Sequence, residues 1–357
     1  MKSLGAWKNS EVPSIECNTE LIDVGRVRYD VVKSHTITVT NNGKAIAYWR
    51  FVSKVEDADI AKRWISVDVR QGLLLPTEST TVTITIKVDI ATARGLNAGK
   101  ELLEDVLVLR LENGHDFPLP VTAEYERSCL GMSLEALVNA HEPVRNIPLI
   151  AAVRHSELLE DNGVANEVAQ SAGGTKTGTA LQLPKELWRT VDALWSGNAM
   201  KEKDIFAMPG LSGEVLIIRE ALDCGKEFTA ACSPHSYAQI LQDILEGLPV
   251  PLVPFESYPT SEVDAAQMRL WVRKFLDSLP PVQYNVLVYL FSFMRELLSH
   301  CEYNRCTLER ITEVCLQMMT SSASDNSFLS RDERNSRQQR RLHMRAIFAH
   351  LLITPML

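Results

Sequence analysis

LPKELWRTVDALWSGNAMKEKDIFAMPG, residues 183–210, is the stretch from which the rest of the chain is read. Pro184 stands at the first position of a helix, where a proline is tolerated. Leu187, Trp188, Val191, Leu194 and Trp195 then recur at helical spacing as one apolar stripe. Gly197 and Asn198 can stop that helix, and Asp204-Ile205-Phe206 leads into the turn Ala207-Met208-Pro209-Gly210.

Beyond this stretch the helical period continues to the C-terminus. Leu211, Val215, Ile218 and Leu222 share a face, as do Tyr237, Ile240, Leu241, Ile244 and Leu245. Met268, Trp271, Val272, Phe275, Leu276 and Leu279 form another stripe, which Pro280-Pro281 ends. Asn285 to Ser299 is apolar on most sides and reads as the central helix of a bundle. Aromatic and methionine stripes at this spacing are core packing, so no cofactor is expected.

A helix ending in I-F-x-x-x-G resembles the start of a RhoGAP domain, whose usual wording is G-I-F-R-x-x-G. The resemblance puts the arginine finger of that family at Ala207. Leu245 to Leu252 (LEGLPVPL) resembles the family's L-R-E-L-P-x-P-L turn, which places its conserved Lys at Gln242 and its Arg at Glu246. Asn304-Arg305-Cys306-Thr307 resembles the start of N-x-M-T-x-x-N-L-A; the second Asn then falls at Arg310 and the later Pro at Gln317. An arginine supplied in trans to a GTPase is worth about 10³–10⁵ in hydrolysis rate. Ala207 has neither charge nor reach, and Gln242 and Glu246 remove two positive charges. Arg189 and Arg219 belong to helices that the family places away from the loop. The resemblance thus implies a pseudo-GAP with no catalytic residue.

Towards the N-terminus the period changes from 3.6 to two. His35 to Thr40 alternates, Asn41-Asn42-Gly43 turns, and Ala45 to Val52 resumes, a pattern that predicts a hairpin. Thr80 to Val88 (TTVTITIKV) is β-branched at nearly every position. Val106 to Leu111 and Phe117 to Thr122 flank Asn113-Gly114 as a second hairpin. About seven short strands predict an immunoglobulin-like antiparallel β-sandwich over residues 1–126. The wording L-I-D-V-G-R-V from Leu21, the N-N-G turn and Leu74-Leu75-Pro76-Thr77-Glu78 resemble the ASH domain, with Val24 in place of the common Phe. Asp23, Asp57 and Asp59 read as solvated loop carboxylates, so this part is a binding platform.

Residues 127–182 read as a connection between the sandwich and an all-α RhoGAP-like domain over 183–357. Ser133 to Ala140 predicts a short helix with Ser133 as N-cap, and Glu142 to Leu149 reads as extended chain. Ser156 to Thr179 turns polar and small, a flexible insertion. Its GGTKTG segment lacks the spacing and preceding strand of a phosphate-binding loop.

This order of domains resembles the C-terminal half of the inositol polyphosphate 5-phosphatases typified by the Lowe-syndrome protein. A phosphatase domain would precede residue 1 in that family, so a fragment or a natural short form is expected. Glu157 to Asp161 (ELLED) is a weak substitute for the clathrin box that some members carry. The resemblance implies a Rab-class GTPase in its GTP form as partner, bound to the last strand of the sandwich and the helix after it. Phe117, Leu119 and Val121 would lie on one face of an edge strand open to strand addition, with Leu134 and Leu137 as anchors. It also implies adaptor peptides carrying Phe and His, taken by Trp188 with Asp192 one turn on; the alternative is that Trp188 fills the core. Rho- or Rac-class GTPases would be bound without hydrolysis. The implied location is cytoplasmic, peripheral to endosomal and Golgi membranes. An active Rho GAP, or an ASH scaffold at the centrosome or cilium, are the alternatives.

The 357 residues suffice for two cores, and 45% hydrophobic with 23% charged residues is ordinary globular usage. A formal net charge of −8 argues against nucleic acid as the main partner. No apolar run is long enough to span a membrane. Among seven cysteines there is no CxxC pair, and His300, Cys301 and Cys306 match no common zinc spacing, so free thiols and no metal are expected. Arg331, Arg334, Arg337, Arg340, Arg341 and Arg345 read as a solvated helix face, with contact to a phosphoinositide membrane as the alternative.

Overall fold

The computed structural model describes residues 12–54, 59–147, 182–228, 231–264, 266–320 and 330–354. Asp57 and the whole of 156–179, with its GGTKTG and ELLED segments, lie outside these. Two compact units emerge, Met1–Glu126 and Arg127–Leu357.

Among the described residues the first unit is a two-layer β-sandwich of nine strands: β1 (Ile15–Cys17), β2 (Ile22–Arg28), β3 (Lys33–Asn41), β4 (Ala47–Val52), β5 (Ile65–Val67), β6 (Gln71–Leu74), β7 (Ser79–Ile86), β8 (Glu104–Leu111) and β9 (Asp116–Glu126). One sheet runs β1-β3-β7-β5 and the other β2-β9-β8-β4-β6. Alternation decides which side chains enter the core: Val82, Ile84 and Ile86 of β7 are fully buried, and so is Trp49 of β4. Trp49 meets Phe51 edge-on, 6.1 Å between ring centroids. Neighbouring strands pair antiparallel except β2 and β9, which run parallel.

The two Asn-Gly turns behave differently. Asn113, at φ 59°, closes a true hairpin in which Arg110 faces Asp116 across β8 and β9. The turn at Asn41-Asn42-Gly43 is no hairpin, because β3 and β4 belong to opposite sheets. The buried Asn41 amide explains the crossing. Its Nδ2 donates to the carbonyls of Ala45 and Leu74, both at 2.9 Å, and its Oδ1 accepts from Gly43 N–H. A short helix unforeseen in the sequence, α1 (Ile90–Asn97), joins β7 to β8; Asp89 Oδ1 caps it by accepting from Thr92 N–H at 2.8 Å.

The second unit is helical: α2 (Leu134–Val138), α3 (Lys185–Ser196), α4 (Ser212–Asp223), α5 (Pro234–Glu246), α6 (Met268–Ser278), α7 (Pro281–Ser299), α8 (Cys301–Asn304), α9 (Leu308–Thr320) and α10 (Arg331–Ile353). Ser133 caps α2 as its sequence predicts, accepting from Ala136 N–H at 3.2 Å. Val144–Asn146 forms a 3₁₀ turn where extended chain was expected. Helix α7 begins one turn before Asn285 because Pro281 suits a first helical position. It is the core helix: Leu287, Leu290, Phe291, Phe293, Met294 and Leu297 are fully buried, and Phe291 meets Phe348 of α10 edge-on at 5.2 Å. Leu211 is the exception in its predicted stripe. It caps α4 and stays 64% exposed.

Candidate functional site

The loop that carries Ala207, expected to correspond to the RhoGAP finger loop, is built from unusual backbone. Asn198, Asp204 and Phe206 all take positive φ, 66°, 57° and 67°, a conformation that costs a side-chain-bearing residue energy. Several hydrogen bonds hold it there. Asp204 N–H donates to the Asn304 carbonyl at 3.1 Å, and Ala207 N–H donates back to the Asp204 carbonyl at 2.9 Å. Asn304 is itself fully buried, with Nδ2 donating to the carbonyls of Met200 and Leu297. Gly210 ends the loop where a Cβ would lie 2.6 Å from the Ser236 backbone, so no larger residue fits. Ser236 Oγ then accepts from Leu211 N–H and donates to Glu214, which ties the loop to the first turn of α5.

The two carboxylates of this loop are paired locally. Arg310 Nη1 donates to Asp204 Oδ1 at 2.6 Å, and this bond holds the Asp204 carboxyl below its usual range. His235 Nε2 lies 3.2 Å from Glu202 Oε1. Glu246 accepts from Gln317 Nε2 at 3.0 Å, and burial raises its pKa. Ala207 is exposed at the loop's tip. Arg189 lies over the Phe228 ring and donates to the carbonyls of Ala221 and Lys226, while Arg219 is buried. Arg305, in a left-handed conformation after α8, is exposed, and its charge also lowers Asp204.

Helix α3 divides its predicted stripe in two. Leu187, Val191 and Leu194 are fully buried, whereas Trp188 is 50% exposed and Trp195 41% exposed. Trp188, Asp192 and Trp195 stand at i, i+4 and i+7, one outward face. The core-filling alternative for Trp188 therefore fails. Trp195 rests edge-on against Phe293 at 5.3 Å, which fixes one end of that face. Burial, and to a lesser extent the Asp192 charge, pushes the Tyr289 phenol of α7 up to about 12.

The strand and helix expected to meet a Rab need correction. β9 is not an edge strand; it lies between β2 and β8, so both its sides are hydrogen-bonded over Val121–Thr122. Leu119 and Val121 are buried in the sandwich core, and Phe117 is half-buried. The edge strands of this sheet are β2, beside β9, and β6 at the far side. Leu134 and Leu137 are buried as well, because α2 packs against α3 and α7. Strand alternation and a two-residue helical face simply serve the nearest cores.

A second polar centre escaped the sequence reading. Residues 127–147 are strapped onto α4 through Asp223, which is 2% exposed. Its Oδ1 accepts from Cys129 N–H at 2.7 Å and Ser128 Oγ at 3.1 Å, and its Oδ2 lies 3.2 Å from Arg145 Nη2. Arg145 also bonds Glu220 at 2.8 Å. Burial pushes Asp223 up to about 6, against the lowering effect of these partners. Nearby Glu186 is equally buried, and neither of its oxygens has a hydrogen-bond partner among the described residues. Nothing in the sequence spacing links residue 129 to residue 223. Among the described residues no group of three or more His, Cys, Asp or Glu is arranged to hold a metal, and no helix is long and apolar enough to cross a membrane.

Comparison with known proteins follows the same division. Residues 17–125 match the family described as "Inositol polyphosphate 5-phosphatase OCRL-like, ASH domain", and residues 184–323 match "RhoGAP domain". The mouse "Type II inositol 1,4,5-trisphosphate 5-phosphatase" is 27% identical over 339 residues, which cover 95% of this chain and 33% of that protein. The chain thus spans a third of the length of that relative. Human "Rho GTPase-activating protein 24" is 29% identical over 126 residues, 32% of this chain and 17% of that protein. Among solved structures, human Rho GTPase activating protein 15 is similar at a TM-score of 0.40 and 14% identity, covering 48% of this chain and 81% of that one.

Proposed function

The chain carries an OCRL-like ASH domain followed by a RhoGAP domain, and we propose that it works as a non-catalytic targeting module. In this reading it binds small GTPases without hastening GTP hydrolysis and helps bring an inositol polyphosphate 5-phosphatase activity to endosomal and Golgi membranes. The observation that carries it is the finger loop: Ala207 stands at its tip, and Arg310 is bonded to Asp204 in the same loop. A transition-state charge placed there would meet no guanidinium from position 207, and that of Arg310 is already engaged.

The partners follow from the same reading. A Rab-class GTPase in its GTP form is the main one, because its switch segments are ordered only by the γ-phosphate. With β9 interior, strand addition in this reading uses β2, the edge strand next to β9. The exposed Trp188, Asp192 and Trp195 face suits a short peptide that offers an aromatic ring and a histidine. The rival reading, an active Rho GAP, would rest on Arg305, the exposed guanidinium whose charge reaches Asp204.

The test is a pull-down with the full chain against Rab-class GTPases loaded with GTP analogue or GDP, followed by hydrogen exchange on the captured complex. Capture of the GTP state with protection in 22–28 supports the reading. Equal capture of both states, or none, would remove it.

A further inference from the structure

The longest helix of the second unit carries a charged groove that the reading above does not use. Helix α10 lays Arg334, Arg341 and Arg345, at i, i+7 and i+11, along one side of a cavity of about 800 Å³. The facing wall is the segment from Pro249 to Tyr258, and α9 closes the bottom with Leu316 and Thr320. That size lies within the range of small-ligand sites.

The wall is held in place by the helix itself. Arg340 Nη2 donates to the carbonyls of Phe255 at 3.1 Å and Tyr258 at 2.8 Å, and its guanidinium lies 4.2 Å from the Phe255 ring centroid. Arg337, which also lines the cavity, stands 5.3 Å from the same ring. An arginine stacked on an aromatic face has lost freedom before any ligand arrives, so less is lost on binding. The far end is balanced, since Arg345 pairs with Glu309 at 2.9 Å and Glu313 at 3.0 Å. At the near end, Arg334 and Arg341 make no ion pair or side-chain hydrogen bond among the described residues. Among the described residues that line the cavity, the acid besides Glu313 is the exposed Glu256.

We propose that this groove is a binding site for a compact anion bearing two or more phosphate groups. Guanidinium forks match phosphate oxygens two at a time. Arg334 and Arg341 are seven residues apart, so their Cα atoms lie about 10 Å apart along the helix. One phosphate reaches one of them; a ligand with several phosphates reaches both. The ligand is either free in solution or the headgroup of a membrane lipid, since the recognising chemistry is the same.

Isothermal titration of the full chain with inorganic tripolyphosphate and with inositol hexakisphosphate tests this. Co-sedimentation with phosphatidylcholine vesicles, with and without phosphatidylinositol bisphosphate, separates the two sources. Saturable binding in either arm is expected, and the double substitution Arg334→Gln, Arg341→Gln should weaken it roughly tenfold or more. Arg331→Gln, on the same helix but outside the cavity lining, should change it less than about twofold. The thermal midpoints of all variants should agree with the parent chain. Absence of saturable binding in both arms, or binding that the double substitution leaves intact, overturns the proposal.

Discussion

Arg310 Nη1 stands 2.6 Å from Asp204 Oδ1, so its guanidinium is engaged in holding the loop that carries Ala207. The bond crosses from α9 to a residue in left-handed backbone, next to Phe206 in the same conformation. Removing it with Arg310→Ala should leave global stability nearly unchanged, since both side chains are 36% exposed. Amide exchange across 204–208 should quicken markedly. Arg310 lowers the Asp204 carboxyl, so the bond's contribution is present above the ordinary Asp value of 3.8 and fades as the pH falls below it. Unchanged loop exchange in the variant would show that the backbone bonds suffice alone.

Asp223 is the anchor by which residues 127–147 join the helical unit. Asp223→Ala leaves Cys129 N–H and Ser128 Oγ without their acceptor, at a cost of about 2 kcal/mol in urea unfolding. The carboxyl's pKa is raised from 3.8 to about 6, so the folded state holds its proton more tightly than the unfolded chain. Its contribution is therefore fullest below about 4 and declines as the pH rises to about 6, then stays level. Compared with Asp223→Asn, which has no such ionisation, the parent chain should lose stability over that window. A flat difference would contradict the assignment.

Glu186 is a buried carboxyl whose oxygens lack hydrogen-bond partners among the described residues, with Lys185 Nζ 3.9 Å away. Burial raises its pKa. Lys185 keeps the carbonyls of Ala140 and Glu142 whatever stands at 186. Glu186→Leu should therefore stabilise the helical unit by about 1–3 kcal/mol at neutral pH. A lower urea midpoint would mean that the carboxyl has a bonding role.

Much of the architecture was legible because it rests on local period. The switch from alternation to helical spacing divided sandwich from bundle, and Ser133, Pro281 and Asn113 marked their turns by residue type. What stayed hidden depends on contacts distant in sequence. Asn41 reads as a hairpin turn until its amide is seen bonded to Leu74 O, 33 positions on, in the other sheet. β9 reads as an edge strand until β2 pairs with it. The bond of Arg310 to Asp204 was not visible in the sequence either, because 106 residues separate the two. The α3 stripe shows the limit from the other side: spacing finds five apolar residues but cannot say that Trp188 and Trp195 face solvent.

That outward face carries its own prediction. Trp188→Ala should change the unfolding free energy by less than about 1 kcal/mol, because the ring is half exposed. It should abolish binding of Phe- and His-containing peptides measured by fluorescence anisotropy. Leu187→Ala, one position away and fully buried, should cost about 2–5 kcal/mol instead. Full peptide affinity in a folded Trp188→Ala chain would move the site elsewhere.

The central claim is that the RhoGAP domain engages a GTPase without catalysis, and single-turnover GTP hydrolysis by Rho- and Rac-class GTPases tests it most directly. With saturating chain, hydrolysis should proceed at the intrinsic rate of each GTPase. An acceleration of roughly tenfold or more, lost again on Arg305→Ala, would contradict the account and make Arg305 the working finger.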